Sequence, residues 1–294
     1  MNPLRILAAV ALLAGATAPA NAQAGRPYPV VLVLPASVRF AGLGGAGVAV
    51  IGDAGSVFVN PAGLAAVRRV SFEGATQSYA GSATQAMGAG AVRVGQFDFG
   101  AGVNYLHFDD SAATRSNLLY TGTAVYRYGF IALGGSAKYA SVTDSAGRVA
   151  SAVTGDIGTT LAIFDILALA VSVQNVGQKV AAGGGLDLPT TTHLGVTFNF
   201  VDPQGTLRLR GVLETVWSER RTRRTVLGGE AGVVLSGIGI VARFGFGGQP
   251  EGSGETEQSY GGSLVFHRFT LDYAYQRRTV LGRDVQRFGA RWTP

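Results

Sequence analysis

The sequence has no cysteine and only three histidines among its 294 residues. Without cysteine, the chain can form neither a disulfide framework nor a thiolate metal site. The histidines, His107, His193 and His267, stand in no motif that pairs one of them with a nucleophile or with a second metal ligand. We therefore predict that the chain is not an enzyme and that it has no metal site and no cofactor.

Charged residues are also scarce, at 14% of the chain, whereas hydrophobic residues make up 47%. The net charge of +6 is spread thinly, and the only dense basic run covers residues 218–224. That run could contact an acidic partner, although a solvated loop is the simpler interpretation. The composition excludes a disordered chain and does not favour a nucleic-acid partner.

No stretch offers the roughly 20 consecutive apolar residues that a transmembrane helix needs. An apolar run at residues 6–14 follows Asn2 and Arg5, and it precedes the small residues Ala20-Asn21-Ala22. This order predicts a secretory signal peptide at residues 1–22, cleaved after Ala22, with Ala22-Gln23-Ala24 as a second candidate site. If the mature protein spans a membrane, we expect it to do so with strands.

From residue 69 onward, apolar positions alternate with small or polar ones. Phe269, Leu271, Tyr273 and Tyr275, for example, alternate with Thr270, Asp272, Ala274 and Gln276. This period of two is typical of β-strands. We predict fourteen strands, at approximately 69–80, 83–95, 96–108, 116–128, 129–142, 150–163, 165–176, 190–201, 205–217, 224–236, 237–247, 257–267, 268–278 and 283–293.

The connections between these strands distinguish a membrane barrel from a secreted β-sandwich. Short connections, such as those at Gly95 and at 202–205, alternate with longer ones, such as 109–115 and 218–223. Transmembrane barrels have an even strand number, short periplasmic turns and longer outer loops, which a sandwich has no reason to show. We therefore predict an all-β fold in which residues 68–294 form a 14-stranded antiparallel transmembrane β-barrel with both ends in the periplasm.

Residues 39–65 do not have the pattern of a strand. Glycine accepts positive φ angles, and proline removes an N–H donor and restricts the residue before it. We expect residues 23–67 to form a periplasmic segment that plugs the barrel lumen. The residues predicted to form this plug are Gly42, Gly44, Gly45, Gly47, Asp53, Asn60, Pro61 and Gly63.

The same segment contains Gly42-x-Gly44-x-x-Gly47, which formally matches a dinucleotide-binding fingerprint. That fingerprint has meaning only in a strand-turn-helix unit followed by alternating strands and helices. Nothing downstream has that pattern, so we do not expect a nucleotide site.

The polar faces of the predicted strands carry charges of both signs, which should face the lumen. Ion pairing with one another and with the plug is the simpler interpretation, and a solute path is the more specific one. The predicted lumen-facing charges are Arg208, Arg210, Glu230, Arg243, Asp272, Arg287 and Arg291.

Residues 39–65, RFAGLGGAGVAVIGDAGSVFVNPAGLA, closely resemble the N-terminal segment of the FadL superfamily of outer-membrane channels, in particular its PorV/PorQ branch. Residues 170–177 and 188–196 resemble the same branch, and residues 287–294 resemble the C-terminal assembly signal of outer-membrane barrels. The resemblance implies a location in the outer membrane of a diderm bacterium, contact with outer-membrane lipid, and a lumen occupied by the N-terminal segment.

The resemblance implies two alternative functions. A FadL-type protein would pass small hydrophobic molecules across the outer membrane. A PorV-type protein would instead bind a secretion translocon or secreted cargo, and would take part in protein export or surface attachment without passing solute. A displaceable plug favours passage, so we rank passage of small hydrophobic solutes ahead of partner binding.

Overall fold

The computed structural model describes residues 28–109, 113–164, 166–177, 185–186, 188–201, 206–219, 221–247, 257–277, 281 and 283–294. The predicted signal peptide, residues 1–22, lies outside the described residues. The same holds for residues 23–27 at the start of the predicted plug segment.

Residues 28–67, which we call the plug, contain only short helices. These are one turn of α-helix, α1 (Val38–Gly42), and three 3₁₀ helices at Val30–Leu32, Ala54–Phe58 and Pro61–Ala66. The last begins where the Asn60 side chain accepts a hydrogen bond from the Ala62 N–H at 3.0 Å, with Pro61 in the first helical position that suits it. Among the described residues, no helix is long and apolar enough to cross a bilayer.

Fourteen antiparallel strands follow, each paired with its neighbours in sequence, and β1 pairs with β14 to close a barrel. The predicted 14-stranded antiparallel barrel is thus confirmed. The strands are β1 (Val70–Ser78), β2 (Ala83–Val94), β3 (Phe97–Phe108), β4 (Thr114–Tyr128), β5 (Ile131–Asp144), β6 (Val149–Ile163), β7 (Leu167–Val176), β8 (Thr191–Asn199), β9 (Leu207–Ser218), β10 (Arg221–Leu235), β11 (Ile238–Gly247), β12 (Glu257–Phe266), β13 (Phe269–Gln276) and β14 (Val285–Trp292).

The two ends of the barrel differ in their connections. At the end where β1 begins and β14 finishes, most connections are short, such as those at 95–96, 129–130 and 236–237. We call this the turn end. The opposite end, which we call the loop end, carries longer connections such as 177–190 and 248–256.

One predicted loop is wrong. Strand β9 ends at Ser218 and β10 starts at Arg221, which pairs with Ser218, so the predicted long connection at 218–223 is replaced largely by strand. A register irregularity lies between Arg221 and Arg224. The charges of this stretch suggested a loop, but backbone pairing does not depend on the charge of the side chains.

The barrel wall has an apolar outer face. Large apolar side chains at alternate positions of the strands are exposed, and Leu213 of β9 and Leu271 of β13 retain 45% and 51% of their accessible surface. The positions between them are buried and frequently polar, as with Asp272 of β13 and Glu214 of β9. A continuous exposed apolar belt of this kind suits a lipid-facing surface better than a soluble one.

Candidate functional site: the plug and its attachment to the wall

The plug lies inside the barrel, where nearly all residues from Ala36 to Leu64 are buried. Helix α1 packs on β11, β12, β13 and β14, and the last two 3₁₀ helices pack on the opposite wall, from β1 to β6. Glycines on β3 make room for this packing, because a Cβ at Gly100 or Gly102 would collide with Val57. The plug therefore crosses the lumen from wall to wall.

Six charged side chains join the plug to the wall in a closed ring, which we call the ionic ring. They are Arg39 and Asp53 of the plug, Glu230 of β10, Arg243 of β11, Asp272 of β13 and Arg291 of β14.

Each member of the ionic ring contacts the next through a nitrogen–oxygen pair. Arg39 lies 2.7 Å from Asp53 and 3.0 Å from Glu230, so one plug arginine bridges plug and wall. Arg243 lies 2.7 Å from Glu230 and 3.1 Å from Asp272. Arg291 completes the ring at 2.6 Å from Asp272 and 2.9 Å from Asp53. Three positive and three negative charges thus balance in a buried place, where an unpaired charge would cost several kcal/mol.

The pKa shifts of the two plug residues follow from this arrangement. Burial raises the pKa of the Asp53 carboxyl, but the charges of Arg39 and Arg291 outweigh burial and hold that pKa well below its ordinary range. Burial lowers the pKa of Arg39, whereas Asp53 and Glu230 raise it to a value above the usual one. Both side chains are therefore charged throughout the physiological pH range.

The remaining predicted lumen-facing charges lie outside the ionic ring. Arg287 of β14 is fully buried, and its Nε donates to Gln77 Oε1 at 2.6 Å. Arg210 of β9 lies at the edge of the ring, 3.8 Å from Glu230, and donates to Asn199 at 2.8 Å. Arg208, two residues earlier on β9, lines a cavity at the turn end. The seven predicted charges therefore perform different roles.

Several of the predicted plug glycines, such as Gly42, Gly44 and Gly47, contact the wall directly. Gly44 has a φ of +76°, a conformation that disfavours other residues, and its N–H donates to Ser259 Oγ of β12 at 2.8 Å. A Cβ on Gly44 would lie 2.7 Å from Val226, and a Cβ on Gly245 of β11 would run into the Gly44 backbone. The Gly42 carbonyl accepts a hydrogen bond from the same Ser259, and the Gly47 N–H donates to Glu214 of β9. Gly45 also has a positive φ. The Gly63 N–H donates to the Asn60 carbonyl within the plug.

Asn60 and Pro61 attach the second half of the plug. The Asn60 amide donates to the Val48 carbonyl at 2.8 Å and to Thr160 Oγ1 of β6 at 3.1 Å. Pro61 packs against Gly134 of β5, where any side chain would collide with it. Asn60 thus links two parts of the plug to each other and to the wall.

Sequence reasoning did not predict that Glu214 of β9 contacts the plug. Its Oε2 accepts hydrogen bonds from the N–H groups of Gly47 and Val48 at 2.7 and 2.9 Å, and its Oε1 lies 2.7 Å from His193 Nδ1. Glu73 of β1 acts similarly toward the Gly55 N–H at 3.0 Å. Alternation places both carboxylates on the inner face, which was the available signal. Within the described residues, no group of three or more His, Asp or Glu side chains could hold a metal ion.

Two apolar clusters join the plug to the inner face of the wall. The first, at the loop end, includes Val31, Tyr79 and Leu106, and the second, in the turn half, includes Val57 and Leu64. Phe58 of the plug packs against both clusters. Apolar contacts between plug and wall therefore extend from the loop end into the turn half of the barrel.

No protein-family profile and no curated protein matches the chain. Solved structures do resemble it. The Ralstonia pickettii toluene transporter TbuX has a TM-score of 0.60 and 15% identity, covering 88% of this chain and 97% of that one. The Pseudomonas putida toluene transporter TodX has a TM-score of 0.58 and 12% identity, with coverages of 86% and 95%. A Pseudomonas aeruginosa FadL homologue has a TM-score of 0.56 and 13% identity, with coverages of 93% and 100%.

At these identities the likeness concerns the fold. The chain has the architecture of FadL-type barrels, as the 14 strands and the high coverage of both chains indicate. The resemblance to the PorV/PorQ branch rests on the sequence motifs alone.

Proposed function

We propose that the protein is an outer-membrane channel that passes small hydrophobic molecules, with the plug as its movable closure. The two apolar clusters that meet at Phe58 are the observation that carries this proposal, because displacement of the plug would leave apolar wall surface in both halves of the lumen, as a hydrophobic solute requires. The toluene transporters among the solved structures of this fold support the same substrate class.

The proposed location rests on the outer surface and on the sequence. The exposed apolar belt matches a lipid-facing wall. The predicted signal peptide implies export, and the short connections of the turn end correspond to periplasmic turns. In this orientation the loop end faces outward, and the plug joins β1 at the periplasmic end of the barrel.

Passage requires the plug to move, because its buried side chains fill the lumen between the walls. Much of its attachment is polar: the ionic ring, Glu214 and Asn60 hold it by a limited number of directional contacts. Each buried ionic contact is costly to break while its partner stays buried, so we expect the plug to stay closed most of the time and to open only occasionally.

A disulfide lock tests this requirement. Ala41 of α1 and Ala274 of β13 are buried in one small cluster, and the chain has no native cysteine to interfere. We expect the oxidised Ala41→Cys/Ala274→Cys variant in liposomes to take up toluene more slowly than wild type, and reduction to restore the rate. The single variant Ala41→Cys is the control. Wild-type uptake no faster than that of protein-free liposomes would refute passage itself.

The PorV-type alternative has a separate test. A partner protein should co-purify with a translocon or with secreted cargo when it is extracted in mild detergent and analysed by mass spectrometry. Stoichiometric co-purification together with absent toluene uptake would favour this alternative.

A further inference from the structure

A cavity of about 460 Å³ lies at the turn end, beside the ionic ring. Ala49, Ile51 and Ala66 of the plug, with Arg68 directly after it, form one side. The ends of β6 and β8 and the starts of β7 and β9 form the other. Its size falls within the range of about 300–1,000 Å³ that is typical of small-molecule sites.

The cavity is positively charged. Arg68, between the plug and β1, and Arg208 and Arg210 of β9 line it, and no acidic side chain of the described residues does. Arg208 and Arg210 share the inner face of β9, so their Cα atoms are separated by about 6–7 Å. The Nη1 atom of Arg210 lies 3.8 Å from Glu230 of the ionic ring, which balances part of its charge. The cavity therefore offers a favourable electrostatic site for one anion.

Two buried polar atoms of the cavity residues have no hydrogen-bond partner among the described residues. They are Arg208 Nε and Thr197 Oγ1. Thr197 is only 4% exposed, so its hydroxyl cannot rely on bulk water. Buried donors are nearly always satisfied in native proteins, and a bound anion would accept hydrogen bonds from both groups.

The rest of the lining is apolar. Ile51 of the plug and Leu167 of β7 are the largest apolar side chains, and several alanines complete the surface. A small inorganic ion would leave this part of the cavity without contacts, whereas an organic anion with an apolar body would cover it.

We propose that this cavity, which we call the basic cavity, binds a small organic carboxylate. The carboxylate lies against Arg208 and Arg210, accepts a hydrogen bond from Thr197, and directs its apolar body toward Ile51 and Leu167. Arginine suits this role because its planar guanidinium can donate two parallel hydrogen bonds to a carboxylate. The site is independent of solute passage, since equilibrium binding alone defines it.

Benzoate is the probe for the test, with the purified full-length protein in detergent. We expect saturable binding by isothermal titration calorimetry, and we expect Arg208→Gln to weaken it about tenfold or more, as the loss of a charged hydrogen-bond donor predicts. Arg148→Gln is the matched control, because that arginine is exposed and pairs with Asp144, four residues away on the same hairpin. Thr197→Val provides a second variant with a smaller expected loss, in case Arg208→Gln disturbs folding.

Three results would overturn the proposal. Benzoate affinity could be equal in the Arg208→Gln and Arg148→Gln variants, or benzoate binding could fail to saturate. Inorganic phosphate could compete as effectively as benzoate, which would mean that the apolar lining contributes nothing. Toluene should not displace benzoate, because it lacks the charge that the arginines bind.

Discussion

Asp53 is the plug residue that contacts two arginines, Arg39 within the plug and Arg291 on the wall. We expect Asp53→Asn to loosen the plug, because removing one partner from a buried charge pair costs up to about 3–5 kcal/mol. Single-channel recording should show a higher open probability than in wild type. Asp144→Asn is the control, since Asp144 pairs with the exposed Arg148 at the loop end.

The lowered pKa of Asp53 determines how the difference in open probability between wild type and Asp53→Asn depends on pH. A carboxyl whose folded pKa lies below its unfolded value contributes stability that is complete above the unfolded value of about 4 and is lost as pH falls through the folded one. Glu73 of β1 is electrostatically coupled to Asp53, so the test uses a Glu73→Gln background, which removes this second carboxyl. In that background the difference in open probability caused by Asp53→Asn should stay constant from pH 8 to pH 5. A difference that shrinks within this range would contradict the assigned contacts of Asp53.

Gly245 of β11 shows how closely the plug approaches the wall, because an added Cβ there would collide with the backbone of Leu43 and Gly44. We expect Gly245→Ala to destabilise the protein by about 1–3 kcal/mol, as in other overpacked sites. Gly122→Ala is the matched control, since no atom lies within 4 Å of the Cβ position on β4. Thermal unfolding in detergent, followed by tryptophan fluorescence, measures the stability of both variants. Equal unfolding midpoints for the two variants would mean that the plug does not pack against β11.

At the scale of elements, the plug and the barrel are held by different interactions. The barrel closes through backbone hydrogen bonds between neighbouring strands. The wall members of the ionic ring, Glu230, Arg243, Asp272 and Arg291, also pair among themselves without the plug. The barrel therefore has the means to remain folded when the plug is absent.

We accordingly expect deletion of residues 39–64 to leave a folded barrel with a larger single-channel conductance. Circular dichroism and the heat-dependent gel shift of a closed barrel serve as the folding controls. Unchanged conductance in a folded deletion variant would place the segment outside the conducting path.

At the scale of the whole molecule, the outer surface determines where the protein resides. Leu213 lies at mid-height of β9 on the outer face, and Leu207 lies on the same face at the turn end. If lipid surrounds the barrel, Leu213→Arg should destabilise it by about 2–4 kcal/mol and Leu207→Arg by only about 0–1 kcal/mol. Chemical denaturation in liposomes compares the two variants. Equal losses would argue against a bilayer around this surface.

Much of the architecture could be predicted because the relevant information is local. Alternation with a period of two identifies a strand and its two faces, as in residues 269–276. Counting those segments produced the correct strand number. The glycines and Asn60-Pro61 marked residues 39–65 as unable to continue a strand, and the structure has these residues in short helices and turns.

Only the tertiary structure decided which residues meet. Arg39 and Glu230 are 191 positions apart, and no local pattern connects them. Alternation along a strand assigns a side chain to the inner face, but it gives neither the position along the barrel axis nor the partner. Arg208, Arg287 and Arg291 therefore looked equivalent in sequence. Closure of β1 on β14 and the strand register set those heights, which is why the ionic ring, the role of Glu214 and the basic cavity emerged only from the fold.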